Sequence, residues 1–233
     1  VAGMTPPPGM PPALADVVAA LPRSPAGVRV EHLVTSGTFS LDGGTWEVDN
    51  NVWIIGNEQE CLVFDAPHEA GPILEAIGDR RLVAVVCTHA HDDHITAARE
   101  LTRATGAPAY LHPADRVLWD RVYDTPPERE LADGDTLRVG DVDLHVLHTP
   151  GHAPGACCFY SPDLEVVFSG DTLFQGGPGA TGRSFSDFGT IVASISTRLL
   201  TLPPQTRVLT GHGDATTIGA EAPHLQEWLD RGH

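Results

Sequence analysis

The chain of 233 residues is 41% hydrophobic and 19% charged, the ordinary balance of a globular protein with a sizeable core. Its 31 acidic against 14 basic residues give a formal charge of −17, which repels phosphate backbones and anionic membrane surfaces and so argues against nucleic acid or membrane partners. No apolar stretch approaches the ~20 residues needed to span a bilayer. The N-terminal stretch lacks a cationic leader and reads poorly as a secretory signal, so a cytoplasmic location is expected. Cys61, Cys87, Cys157 and Cys158 read as reduced core residues of a cytosolic protein, and adjacent Cys157 and Cys158 on one strand should point to opposite faces.

Residues 1–27 are Pro-rich and lack periodicity, which predicts a loose arm or extended strap ahead of a domain over 28–233. Short β-type runs follow: "VRVEHLV", "WEVDNNVWII" and "ECLVFD", then a helical "GPILEAIGD", then the strand "LVAVVC". "DHITAARELTRATG" predicts a helix ending at Gly106, "APAYLH" a strand, "PADRVLWDRV" a helix, and "LRVGDVDLHVLH" two strands around a Gly-Asp turn. In the second half "ACCFY", "LEVVFSG" and "TRVLTG" read as strands, with "FGTIVASISTRLL" and "GAEAPHLQEWLDRG" as helices. Two series of strands with helices outside them predict an α/β fold, a four-layer αβ/βα sandwich.

"THAHDDH", residues 88–94, crowds metal-type ligands into the junction between a strand and a helix. His89 and His91 on extended backbone can face one side, while Asp93 and His94 in the next turn can face a second position beside it. Three further candidates stand at strand ends or in a Gly/Pro loop: His152 in "HTPGHAPG", Asp171 in "FSGDTLF" and His212 in "LTGHGD". These seven can hold two divalent metals, with His89, His91 and His152 on one, Asp93, His94 and His212 on the other, and Asp171 bridging. Nitrogen and carboxylate donors without thiolate suit Zn, and equally Fe or Mn.

These motifs, in this order, resemble those of the metallo-β-lactamase-fold hydrolases. From about residue 28 onward the chain looks most similar to short glyoxalase II-like (hydroxyacylglutathione hydrolase-like) proteins of actinobacterial type, on "SGDTLFQGGPGATGRSFSDF" and "GHGDATTIGAEA". The resemblance implies the αβ/βα sandwich with a dinuclear site along one edge of its sheets. It also implies a metal-bridging hydroxide that attacks the thioester of a low-molecular-weight thiol, with Asp93 orienting the nucleophile. Asp92 has no ligand role in the family and is expected to cap or face solvent.

"GPGATGRS" nearly spells a phosphate loop, but Arg183 replaces its lysine and no second Mg site accompanies it, so nucleotide binding is not expected. The resemblance instead makes Arg183 and Phe185 candidates for holding the thiol carrier, with Arg183 as an anion clamp, and places His68 at the site mouth. His112, His145, His148 and His224 read as structural or surface residues. Pocket walls are expected from residues 35–45, 66–72 and 174–188.

Departures within the family narrow the choice. True β-lactamases of this fold usually carry Cys or Ser where Asp171 stands, so β-lactam hydrolysis is expected to be secondary at most. Full-length glyoxalase II has a helical C-terminal domain gripping glutathione, whereas 62 residues follow Asp171 here, so the carrier is left open among glutathione, mycothiol and other low-molecular-weight thiols. The alternatives are a lactone or ester hydrolase, and a persulfide dioxygenase holding one Fe through His89, His152 and Asp171.

Overall fold

The computed structural model describes residues 13–233, and the part of the expected arm over 1–12 lies outside them. The chain enters as helix α1 (Leu14–Ala19), then forms the long strands β1 (Arg29–Leu41) and β2 (Gly44–Gly56). These pair antiparallel from Arg29 opposite Gly56 to Leu41 opposite Gly44, closed by Asp42 and Gly43 at φ 52° and 80°, the left-handed pair that matches strand twist in a two-residue turn. The sequence pattern marks only the inner half of β1. "TSGTFSL" becomes strand because every residue finds a partner in "GTWEVDN", not because it carries an apolar run.

β3 (Glu60–Phe64), helix α2 (Ala70–Ile77), β4 (Arg81–Val86), helices α3 (Asp92–Ile95) and α4 (Ala98–Thr105), and β5 (Ala109–Leu111) continue the first sheet. Helix α5 (Arg116–Trp119) and β6 (Arg129–Glu130) complete it, in the order β1-β2-β3-β4-β5-β6. β3, β4 and β5 run parallel, which is why "CLVF" and "VAVV" are apolar throughout: both faces are covered. The single helix expected after the His motif is two, broken at Thr96 and Ala97, with left-handed Gly106 (φ 74°) closing the second.

The second sheet comprises β7 (Thr136–Val139), β8 (Val142–His148), β9 (Cys157–Ser161) and β10 (Val166–Gly170), beside a small ribbon of β11 (Leu173–Phe174) and β12 (Gly177–Pro178). Helix α6 (Phe188–Ser194) runs into a π-helical turn, Ile195–Leu199, before β13 (Arg207–Thr210), β14 (Thr216–Thr217), α7 (Ile218–Glu221) and α8 (Leu225–Arg231). Its strand order is β14-β13-β10-β9-β8-β7.

Three buried clusters fill the three spaces of the sandwich. Val52, Ile54, Val63 and Val85 meet Ile73 of α2, Leu101 of α4 and Trp119 of α5 on one outer side. Trp53, Ile55, Leu62 and Phe64 meet Val146, Phe159 and Phe168 between the sheets, where Phe64 stacks on Phe168 at 4.3 Å. Val167 and Val208 meet Ile191, Ile195 and Trp228 on the other outer side. Successive residues of β2 alternate between clusters, as period-two side chains must. Cys157 and Cys158 do the same, one between the sheets and one under the helices, and all four cysteines are buried and unpaired.

The expected loose arm is corrected for its described part. α1 lies against β1, with Val17 buried and Leu14, Val18 and Leu21 packed on the inter-sheet cluster. Prolines flank this apolar stretch rather than interrupt it, so a short amphipathic helix survives inside a Pro-rich segment.

Candidate metal centre

All seven candidate ligands stand just beyond the strands that carry them, along one edge of the sandwich. His89, His91, Asp93 and His94 follow β4, His152 lies between β8 and β9, Asp171 follows β10, and His212 follows β13. Nδ1 of His91 lies 3.0 Å from Nε2 of both His89 and His152. Nε2 of His94 lies 3.3 Å from Nε2 of His212 and 3.4 Å from Asp93. Asp171 stands between the two groups: Oδ1 is 3.4 Å from His94, and Oδ2 is 3.5 Å from His152 and 3.4 Å from His212.

The rear atoms of the rings decide what the front atoms are. His152 Nδ1 donates to the Ala180 carbonyl and His212 Nδ1 to the Asp49 carbonyl, both at 2.7 Å, and His94 Nδ1 donates to Asp65 at 2.8 Å. With its one N–H at Nδ1, each of these rings, when neutral, turns the Nε2 lone pair toward the centre. Lone pairs and carboxylates converging at 3.0–3.5 Å repel one another unless positive charge, a metal ion or in its place a proton on His94 and His212, lies among them. Buried Asp171 Oδ1 also has no hydrogen-bond partner. The donor set thus fits two divalent ions, with outer partners that fix ring orientation.

Glycines make the approach possible. A Cβ on Gly211 would stand 2.2 Å from Asp171 Oδ1 and 2.9 Å from His94, so the residue before His212 can carry no side chain. A Cβ on Gly179 would strike the Asp171 carbonyl, so the Gly-rich segment lies flat on Asp171 and presents the Ala180 carbonyl to His152. That is the role of "GPGATGRS"; α6 begins only at Phe188, too late for a phosphate loop.

Burial pulls His89 well below the ordinary imidazole value, with His94 and His91 adding repulsion, and burial with neighbouring His152 brings His91 to about 3. His152 is lowered by burial too. For His94 and His212, burial pulls down but the carboxylates outweigh it, holding His94 well above its ordinary value and His212 at about 10. Asp93 falls to about 2 despite burial, chiefly through His94.

Several supporting residues escape the motif reading. Asp65, at the end of β3 with φ 61°, accepts from His94, from the Thr88 N–H and from the Thr88 hydroxyl at 2.7–2.8 Å. Asn50 donates to Asp93 at 3.0 Å, and its oxygen is 2.8 Å from His68 Nε2. Asp65 ends an apolar strand as Asp171 does, a signal the sequence carries.

A cavity of about 390 Å³ opens over the centre, walled by Phe39, Val48, Phe174, Ala180 and Arg183. Arg183 lies 4.1 Å from the Trp46 ring centroid and 5.3 Å from that of Phe39. The expected substrate contacts are placed differently. Phe185, 41% exposed and in the left-handed region at φ 70°, is not among the cavity-lining residues. Phe39 and Phe174 provide the aromatic walls instead. His68 contacts Asn50 rather than lining the cavity, so 35–45 and 174–188 contribute walls and 66–72 does not. Asp92 accepts the Ser40 N–H at 3.0 Å and ties the β1–β2 hairpin to α3.

The family description "Metallo-beta-lactamase superfamily" matches residues 45–212, and the chain belongs to that superfamily. It is a metallo-hydrolase by fold and candidate ligand cluster. The chain is 32% identical over 181 residues to a hydroxyacylglutathione hydrolase of Haemophilus influenzae, covering 71% of this chain and 85% of that one. Among solved structures, a B3 metallo-β-lactamase, BLEG-1, matches with TM-score 0.70 and 31% identity, over 82% of this chain and 97% of its own. TTHA1623 in a di-iron-bound form matches with TM-score 0.67 and 34% identity, over 81% and 96%. No helix among the described residues is long and apolar enough to cross a membrane.

Proposed function

We propose that this protein is a dinuclear metal-dependent thioesterase that hydrolyses acyl-thioesters of a low-molecular-weight thiol in the cytoplasm. The observation that carries the dinuclear reading is Asp171, which stands between two ligand groups, with Oδ2 reaching His152 of one and His212 of the other and Oδ1 reaching His94. His89, His91 and His152 would hold one ion, and Asp93, His94 and His212 the other, with Zn, Fe and Mn all suited to the donors. When bound, such a pair lowers the pKa of water toward neutrality and polarises the scissile carbonyl.

The chain's own residues do the rest. Asp93, fixed by Asn50, lines the cavity floor and orients the attacking water. Phe39, Val48 and Phe174 enclose the acyl chain and exclude bulk water. Arg183 forms no ion pair among the described residues and its guanidinium lies near the Trp46 and Phe39 rings, which suits it to clamp a carboxylate of the thiol carrier. The thioester class is supported by the Haemophilus relative and by the aspartate at 171. The dioxygenase reading would leave Asp93, His94 and His212 without a task, although Asp65, Asn50 and the Asp49 carbonyl all serve to orient them. β-Lactam hydrolysis is the second reading, favoured by the likeness to BLEG-1.

The test compares turnover of acyl-thioesters, lactones and a chromogenic β-lactam, together with oxygen uptake on a thiol persulfide, all with metal-quantified protein. Thioesters should be the best substrates, and Arg183→Ala should weaken only those with an anionic carrier. Preference for lactones or β-lactams, or oxygen uptake with persulfide, would replace the thioesterase reading.

A further inference from the structure

Asp115 belongs to neither ligand group, yet it sits between the two loops that build the all-histidine one. It ends the 3₁₀ turn Pro113–Asp115 and is completely buried. One carboxylate oxygen accepts the Ala90 N–H at 2.8 Å, and the other accepts the Gly155 N–H. Ala90 is the residue between His89 and His91, and Gly155 belongs to the loop of His152. The approach is as close as backbone allows: a Cβ on Gly155 would stand 2.9 Å from Asp115 Cβ and Cγ.

Nothing else in the fold requires a carboxylate here. Asp115 precedes α5, but its side chain makes no capping hydrogen bond to that helix. No cation pairs with it among the described residues, and burial pushes its pKa up to about 6, so the charge is held against a desolvation penalty. What the position does require is two acceptors and no donor, because both partners are N–H groups. Only an ionised carboxylate supplies that; an asparagine would turn its NH₂ toward one of them.

We propose that Asp115 is a positioning residue that fixes the spacing of the His89/His91 loop and the His152 loop, and thereby the metal affinity of the all-histidine half-site. The proposal rests on the two-metal reading above and adds to it a group outside the ligand set. Its effect should fall first on that half-site, since Ala90 stands directly between His89 and His91 and Gly155 shares the loop of His152, whereas no hydrogen bond joins Asp115 to the segments of Asp171 or His212.

The test is a calorimetric zinc titration of metal-free wild type, Asp115→Asn, Asp115→Ala and His152→Ala, with circular dichroism to check the fold. Wild type should show two binding steps, and His152→Ala should remove the step that belongs to the all-histidine half. Asp115→Asn should weaken that same step by on the order of tenfold and the other step by clearly less, with Asp115→Ala weaker still. The Asn variant carries the test if the Ala variant fails to fold. Unchanged affinities, or equal weakening of both steps, would overturn the proposal, the latter because it signals general loosening. Fewer than two steps in wild type would overturn the two-metal reading itself and this proposal with it.

Discussion

His89, His91 and His152 form a half-site with no charged side chain of its own, while Asp93, His94 and His212, a few ångströms away, form one crowded with charge. The first is buried throughout and its imidazoles are held below their ordinary pKa, so it offers lone pairs without any proton to displace. The second is ringed by Asp65, Asp93 and Asp171, which hold protons on His94 and His212. One half selects a cation by the spacing of rigid rings, the other by charge. Asp171 touches both and couples them.

The largest effect should come from breaking that coupling. Asp171→Ala removes a contact to each half, and since outer-shell changes already cost 10–100-fold, turnover should fall by more than about 100-fold with loss of both metals. Retention of two metals and near-normal rate would refute the bridging assignment. Gly211→Ala places a methyl group against Asp171 and His94, and should weaken metal binding by about 100-fold at the charged half first, as read by stepwise titration. Equal affinity in both variant and wild type would show that the loop yields.

Asn50→Ala should reduce turnover by roughly tenfold while the all-histidine step of the titration is unchanged, because Asn50 supports Asp93 and not His89, His91 or His152. The proton balance sharpens the same contrast. His212 has its folded pKa raised from 6.5 to about 10, so in metal-free protein it contributes stability that is full below 6.5 and lost as pH rises through about 10. A metal ion must displace that proton. Binding at the charged half should therefore release protons at pH 7 and tighten with rising pH, whereas binding at the all-histidine half should release almost none. Calorimetry in buffers of different ionisation enthalpy separates the two, and equal release at both steps would contradict the assignment. The smallest effect is expected from Arg183→Ala: about a tenfold rise in KM for substrates with an anionic carrier, with kcat unchanged.

The candidate ligands were legible because a metal site declares itself locally: "HAHDDH" is one turn of chain, and His152, Asp171 and His212 stand in the loops just past apolar strands. The sandwich was legible for a similar reason, since its parallel strands are short apolar runs and its helices are periodic. What stayed hidden depends on contacts across the fold. Asn50 meets Asp93 from 43 positions away, and Asp115 joins two loops that sequence spacing cannot relate. The outer half of β1, with Phe39, reads as a loop until its partner strand is in register, so 35–45 is legible as a wall but Phe39 is not legible as its aromatic, which the family resemblance puts at Phe185. α1 was hidden by its prolines, which bound the helix without entering it.

The most direct test of the dinuclear thioesterase is thiol release from an acyl-thioester as metal is added stepwise to metal-free protein. Little release is expected at one equivalent per chain and full release at two, with His91→Ala inactive throughout. Full activity at one equivalent, or none at two with either zinc or iron, would contradict the dinuclear thioesterase reading.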